Sequence, residues 1–221
     1  MFLCIINLAE MKIAILANEV LKNDLIIKGV APGAEILWVN AVEELLVTNA
    51  DVYIDLLFTK NGERVNQLST LLSKPVFINC VTHTLKEIGR PFIRLNAWPG
   101  FLKRKMVEIA VANKEYEEIV KQVLTVCQWP YQLVPDIPGM ISARVIAMIV
   151  NEAYFAWGEG VSTKAEIDIA MKLGTNYPFG PFEWAESIGI KNIYELLSHL
   201  YQENERYIIS GAMIEEVSSS R

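Results

Sequence analysis

The chain has little histidine: His83 and His199 are the only two in 221 residues. It has three cysteines, Cys4, Cys80 and Cys127, odd in number and widely spaced. Without a CxxC or HxxxH pair, the pattern speaks against a structural zinc site and against a disulfide framework. No metal is expected, and the usage fits a reducing cytoplasm. A basic excess is also lacking. Lys and Arg number 20 against 26 Asp and Glu, for a formal net charge of −6. Phosphate contacts need a basic footprint, so a nucleic-acid partner is not expected. Long apolar runs are missing too. The opening MFLCIINLAE is apolar, but it is too short to span a bilayer and lacks the basic n-region of a signal peptide. Residues 1–10 read equally well as an upstream extension or as an extra edge strand. No membrane partner is expected.

What is present is a large apolar content, 52% of residues, enough for one large domain or two modest ones. From residue 12 to 111 short apolar runs alternate with helical patterns. Strands are predicted at Lys12–Ala17, Glu35–Val39, Val52–Phe58, Val76–Cys80, Pro91–Asn96 and Met106–Val111. Helices are predicted at Glu19–Lys28, Ala41–Val47, Gly62–Leu72 and Thr84–Ile88. Such alternation implies a parallel sheet covered on both faces, a doubly wound nucleotide-binding-type domain over residues 11–135. Its first turn should carry Gly-x-Gly-x-x-Gly, so that backbone and helix dipole can approach a pyrophosphate. No glycine lies between Met11 and Lys28; Leu16, Asn18 and Leu21 stand in those places. Glu19 would add a repelling charge to the first helical turn. Asn40 stands at the end of the second strand, where an acidic residue would meet ribose hydroxyls. It can bond a hydroxyl, but without a charge-assisted bond. Asn113–Trp129 is an amphipathic helix, Tyr131–Val134 one more strand, and Pro135 to Pro138 a boundary.

From residue 136 the chain is helical. Apolar residues after Met140 fall on nearly every face, which demands burial in a core or against a partner. Gly158 and Gly160 end that helix. Thr163 with Glu166 forms a capping box for a second helix running to Gly174. Tyr177 to Glu183, YPFGPFE, reads as a tight turn. Lys191–Glu203 reads as a helix with Ile193, Leu196, Leu197, Leu200 and Tyr201 inward.

This half resembles the C-terminal domain of the 3-hydroxyacyl-CoA dehydrogenase family. The matching pieces are Pro138-Gly139-Met140, Arg144, Asn151-Glu152-Ala153, Glu159-Gly160, Ile167-Asp168, Ala170 to Gly174, Tyr177 to Glu183 and Ile188-Gly189. The resemblance implies a Rossmann-like parallel-sheet domain followed by a helical dimerisation domain over 136–221. It also implies NAD-dependent hydride transfer from a 3-hydroxyacyl thioester of fatty-acid metabolism. A His would accept the hydroxyl proton, a Glu would orient that His, and a Ser and an Asn would hold the substrate oxygen.

Carried onto this chain, the His position falls on Asn96, which cannot take a proton. The orienting Glu is Glu108; apart from the family it reads as a surface or half-buried carboxylate beside Arg94, Lys103 or Arg104. The Ser position is Thr82, which keeps the hydroxyl. The Asn position is Ala143, and Ser142 points about 100° away on the helix. His83 and His199 read as solvated side chains. Trp98, Trp184 and Arg144 are candidate ligand walls. The helical hairpin that the family inserts after the second strand as a CoA clamp is not there.

These readings predict a pseudoenzyme with no cofactor, NAD being implied by resemblance only. It would be a cytoplasmic homodimer through the C-terminal helices, with an acyl-CoA-like small molecule between the domains. The alternative is an active NAD(P)-dependent oxidoreductase with an altered cofactor site.

Overall fold

A computed structural model describes residues 11–219. The expectation for residues 1–10 lies outside the described residues. The chain divides into two compact units, one ending at Met140 and one beginning at Ile141.

The first unit holds seven strands: β1 (Met11–Leu16), β2 (Ala34–Val39), β3 (Val52–Asp55), β4 (Val76–Asn79), β5 (Ile93–Leu95), β6 (Val107–Ala110) and β7 (Tyr131–Leu133). They form one sheet in the order β2-β1-β3-β4-β5-β6-β7. The β1 to β5 pairings are parallel, as expected. The parallel expectation is corrected at β6, which runs antiparallel to β5 and parallel to β7. The physical reason is the connection: eleven residues without a helix turn the chain back beside β5, whereas a parallel return needs a crossover.

Alternation along the strands builds two cores. Ile13, Ile15, Val52, Ile54 and Phe77 face one side, with Leu21, Leu25, Val120 and Leu124 from α1 (Glu19–Lys28) and α5 (Lys114–Cys127). Ala14, Leu16, Tyr53, Val76 and Ile78 face the other. There they meet α2 (Val42–Val47), α3 (Gly62–Ser69) and α4 (Leu85–Ile88). Side chains that alternate with period 2 and are buried on both sides explain why these strands read as near-continuous apolar runs. Asn18 caps α1 by accepting the Leu21 N–H at 3.0 Å, and Gly29 with φ 75° closes it.

The second unit holds α6 (Ser142–Gly158), α7 (Lys164–Thr175), α8 (Pro181–Ile188), α9 (Ile190–Glu203), a 3₁₀ turn (Glu205–Tyr207) and α10 (Gly211–Ser219). The expected all-round burial of α6 is not met within the chain. Ala143, Ala147, Val150 and Tyr154 are buried, but Ile141 just before it and Val145 are exposed. The buried Asn151 ties α6 to the chain's end: its amide donates to the Ile208 carbonyl at 2.8 Å and accepts from Ser210 N–H at 3.0 Å. α8 replaces part of the expected turn. Pro181 is its first residue, where the missing N–H costs nothing, and Gly180 N–H donates to Glu183 at 2.9 Å. In α9 Ile193, Leu196, Leu197 and Leu200 are buried as expected, whereas Tyr201 is exposed. Among the described residues no helix is long and apolar enough to cross a membrane.

Candidate functional site

The antiparallel β5–β6 pair is what brings the first two candidate residues together. Asn96 follows β5 and Glu108 lies in β6. The Asn96 N–H donates to the Glu108 carbonyl at 3.2 Å, continuing the ladder. The same register sets the side chains face to face, and the Asn96 amide donates to Glu108 Oε2 at 3.2 Å. Asn96 Oδ1 accepts the Trp98 N–H at 3.4 Å. Asn96 is 3% exposed and Glu108 half-buried. Glu108 therefore fixes an amide. Two of its three expected cationic neighbours are engaged elsewhere, Arg94 with Asp136 and Lys103 with Asp24. Chemically the pair has the layout of a base and its orienting carboxylate, with an amide where a base would stand.

Asn79 reinforces the same edge. Its amide nitrogen lies 3.2 Å from the Leu56 carbonyl and 3.3 Å from that of Ala97, and its oxygen accepts the Ala97 N–H at 3.0 Å. One side chain thus staples the carboxyl ends of β3, β4 and β5. Thr82 is half-buried on the turn that leaves β4. His83 is half-buried beside Glu87, Nδ1 to carboxylate 4.0 Å, and its carbonyl accepts the Cys80 thiol at 3.5 Å. His199 is half-buried in α9. Neither histidine is a freely solvated side chain.

Ala143 is fully buried in α6, where its small size suits packing. Trp98 and Trp184 are buried as well. Trp98 meets Phe101 edge-on, and Trp184 meets Tyr177 at a tilt with ring centroids 5.4 Å apart. Arg144 lies over the Tyr207 ring at 5.7 Å.

At the β1–α1 junction, Leu16 and Leu21 are core residues, 1% and 4% exposed. Ala17 and Asn18 make the whole turn, and none of the positive-φ residues lies between Leu16 and Leu21. The N-terminus of α1 stays exposed at Asn18, Glu19 and Val20, where a pyrophosphate would meet a helix dipole. The glycine cradle is not reproduced: the Asn18 oxygen already takes one helix N–H, and Glu19 brings a carboxylate. Asn40 is exposed, with its N–H donated to Glu44 at 2.8 Å. The residues keep the helix terminus but not the side-chain complement that a dinucleotide cradle uses.

Several ion pairs escape sequence reasoning. Asp55, fully buried at the end of β3, accepts Arg64 Nε at 2.7 Å and the Leu57 N–H at 3.0 Å. Burial raises its pKa, and the Arg64 guanidinium works against the shift. Asp24, 1% exposed, accepts the Gly100 N–H at 2.6 Å and Lys103 at 3.0 Å, tying α1 to the loop after Asn96. Arg94, also fully buried, pairs with Asp136. A lone charge inside an apolar strand such as Phe92-Ile93-Arg94-Leu95 is the signal that a partner exists, because such groups are rarely buried unpaired.

Comparison with known proteins gives a consistent set of relatives. The family described as 3-hydroxyacyl-CoA dehydrogenase, C-terminal domain, matches residues 139–218. The chain is similar to the 3-hydroxyadipyl-CoA dehydrogenase of Escherichia coli K12, 35% identical over 126 residues, 55% of this chain and 26% of that protein. It thus spans about a quarter of that relative's length. Its fold is similar to a crystal structure of (S)-3-hydroxybutyryl-CoA dehydrogenase from Ralstonia eutropha. There the TM-score is 0.75 and the identity 17%, covering 95% of this chain and 94% of that one. A third likeness, also of fold, is to a pyridine-carboxylic acid 5-dehydrogenase described as an NAD+ dependent dismutase. Its TM-score is 0.63 at 15% identity, over 96% of this chain and 87% of that one. The expectation of a chain without a cofactor is corrected by these findings: the relatives it matches are named as dehydrogenases, and one protein of similar fold is described as NAD+ dependent.

Proposed function

The chain belongs to the 3-hydroxyacyl-CoA dehydrogenase family through residues 139–218, and from that membership we propose a divergent member whose hydride-transfer chemistry is lost or much reduced. In this reading it acts as a dimeric binding or regulatory protein for a ligand of the 3-oxoacyl or 3-hydroxyacyl thioester class. The cofactor class is NAD, which supplies a hydride acceptor when bound. The exposed N-terminus of α1 and Asn40 are the groups that would meet it. The observation that carries the reading is the buried Asn96 amide bonded to Glu108 at 3.2 Å. Glu108 keeps an orienting carboxylate in use, but an amide cannot accept the proton that oxidation of a hydroxyl releases. Losing a general base costs ~10²–10⁴ in rate. Thr82 retains a hydroxyl that can hold a ligand oxygen.

One observation favours the alternative of a working oxidoreductase: Glu108 is half-buried and retained, and a carboxylate there could act on its own. A single assay separates the two. Oxidation of NADH by acetoacetyl-CoA is followed spectrophotometrically for the wild type, Asn96→His and Glu108→Gln. The proposal expects a wild-type rate at background and a gain of at least ~10²-fold in Asn96→His, the lower end of general-base effects. Turnover in the wild type that disappears in Glu108→Gln would establish the alternative and end the pseudoenzyme reading.

A further inference from the structure

The turn that carries Thr82 is held by a side chain with no obvious reason to be where it is. Arg94 sits in the middle of β5, 0% exposed, and leads the fully buried side chains in volume among the described residues. A buried guanidinium is tolerated only when its donors find acceptors. Here four bonds to two separate segments hold it. Nε donates to the Cys80 carbonyl at 2.9 Å and Nη2 to the Val81 carbonyl at 3.0 Å, both on the turn leaving β4. Nη1 pairs with Asp136, and Nη2 reaches the Ile137 carbonyl at 3.4 Å.

Asp136 then closes the circuit. Its two oxygens accept the Leu85 N–H at 3.1 and 2.9 Å, at the far end of the same turn. Gly139 N–H adds a bond to the Val81 carbonyl at 2.8 Å. Gly139 and Met140 themselves take φ of 77° and 49°. The second is unusual for a residue with a side chain and persists only where the surroundings fix it. Met140 is buried and is the last residue of the first unit.

We infer that Arg94 is a positioning residue: one buried guanidinium locks the Cys80–Leu85 turn and the Asp136–Met140 segment together, and so sets where the Thr82 hydroxyl is presented. The role of Thr82 as a ligand contact rests on the function proposed above; the locking itself does not. Lysine cannot replace this arginine, because a compact ammonium cannot span three carbonyls and a carboxylate.

The test compares the full-length wild type, Arg94→Lys, Arg94→Met and Asp136→Asn by amide hydrogen exchange with mass-spectrometric readout. Exchange reports local opening segment by segment. In Arg94→Lys and Asp136→Asn, peptides covering residues 80–85 and 136–140 are expected to exchange at least tenfold faster together, with α5 peptides unchanged. Wild-type exchange in either segment, or equal acceleration in α5, overturns the inference. Should Arg94→Met fail to fold, the two milder variants decide the outcome. Calorimetric titration with acetoacetyl-CoA addresses Thr82 separately. A wild type that binds none removes Thr82 as a ligand contact, while the exchange result still decides the locking. Binding in the wild type that is not weakened tenfold in Arg94→Lys overturns the positioning role.

Discussion

Gly180 has an ordinary φ of −75°, so its lack of a side chain is not about backbone strain. It is about Asp168. A Cβ built on Gly180 would lie 2.2 Å from Asp168 Oδ1 and 2.4 Å from Asp168 Cβ. That carboxylate is not free to retreat, because it accepts the Phe182 N–H at 2.8 Å and is 8% exposed. Burial raises the Asp168 pKa, while its backbone bonds oppose the shift. Gly180→Ala is expected to destabilise the chain by ~1–3 kcal/mol, the usual cost of overpacking. Chemical denaturation of wild type and variant reads this directly; an unchanged midpoint would mean that α7 and α8 shift apart freely. The glycine is visible in the YPFGPFE run, but its reason is not. Asp168 lies on the preceding helix and points nowhere in particular until the helices pack. The site shows the same divide. Asn96 and Glu108 are readable as a pair only through the family resemblance, because the antiparallel β5–β6 pairing that sets them face to face is not written in the sequence. The partners of Arg94 are not, because Asp136 is 42 residues away and only the fold brings it near.

At the level of elements, legibility follows the local chemistry. α1 matches its predicted span because Asn18, Glu19, Lys28 and Gly29 mark both ends. α8 is hidden in the sequence because the proline and glycine signals of a turn also start a helix. The direction of β6 is not readable, since the alternation of a half-buried strand is the same in either direction. The caps of α7 and α8 lead to a pH dependence. Glu166 is held below its ordinary 4.5 by the hydroxyls of Ser162 and Thr163 and by the Thr163 N–H. Glu183 is held below 4.5 by Lys172 and the Gly180 N–H. A carboxyl that is more acidic in the folded chain gives stability that is full above pH 4.5. That stability is lost as pH falls through the lowered value. Circular dichroism from pH 7 to about 2.5 should therefore lose helix below 4.5 in the wild type. The Glu166→Gln/Glu183→Gln chain should lose less over that span, because its caps no longer titrate. Superimposable normalised curves would count against the caps as acid-sensitive elements.

For the whole molecule, the second unit poses the remaining question of what covers it. α7 is twelve residues long, yet Asp168 is its one buried residue. Ile169 is 53% and Leu173 83% exposed, and Val145 on α6 is 52% exposed. A helix that short is marginal alone in water and draws its stability from packing an apolar face. Capping at Thr163 and the Lys172–Glu183 pair hold α7 in place, but neither buries its leucine and isoleucine. Contiguous exposed apolar surface marks an interaction site, and symmetric association of identical copies is the commonest way to cover it. This is the ground for proposing a homodimer through α6 and α7. Light scattering on the wild type should give twice the 24.9 kDa chain mass. Ile169→Lys/Leu173→Glu should shift the population to monomer and lower its thermal midpoint at equal concentration, since association stabilises the folded state by mass action. A wild type that elutes as a stable monomer, with a variant of unchanged stability, would leave α7 exposed in solution and remove the dimeric part of the proposed function.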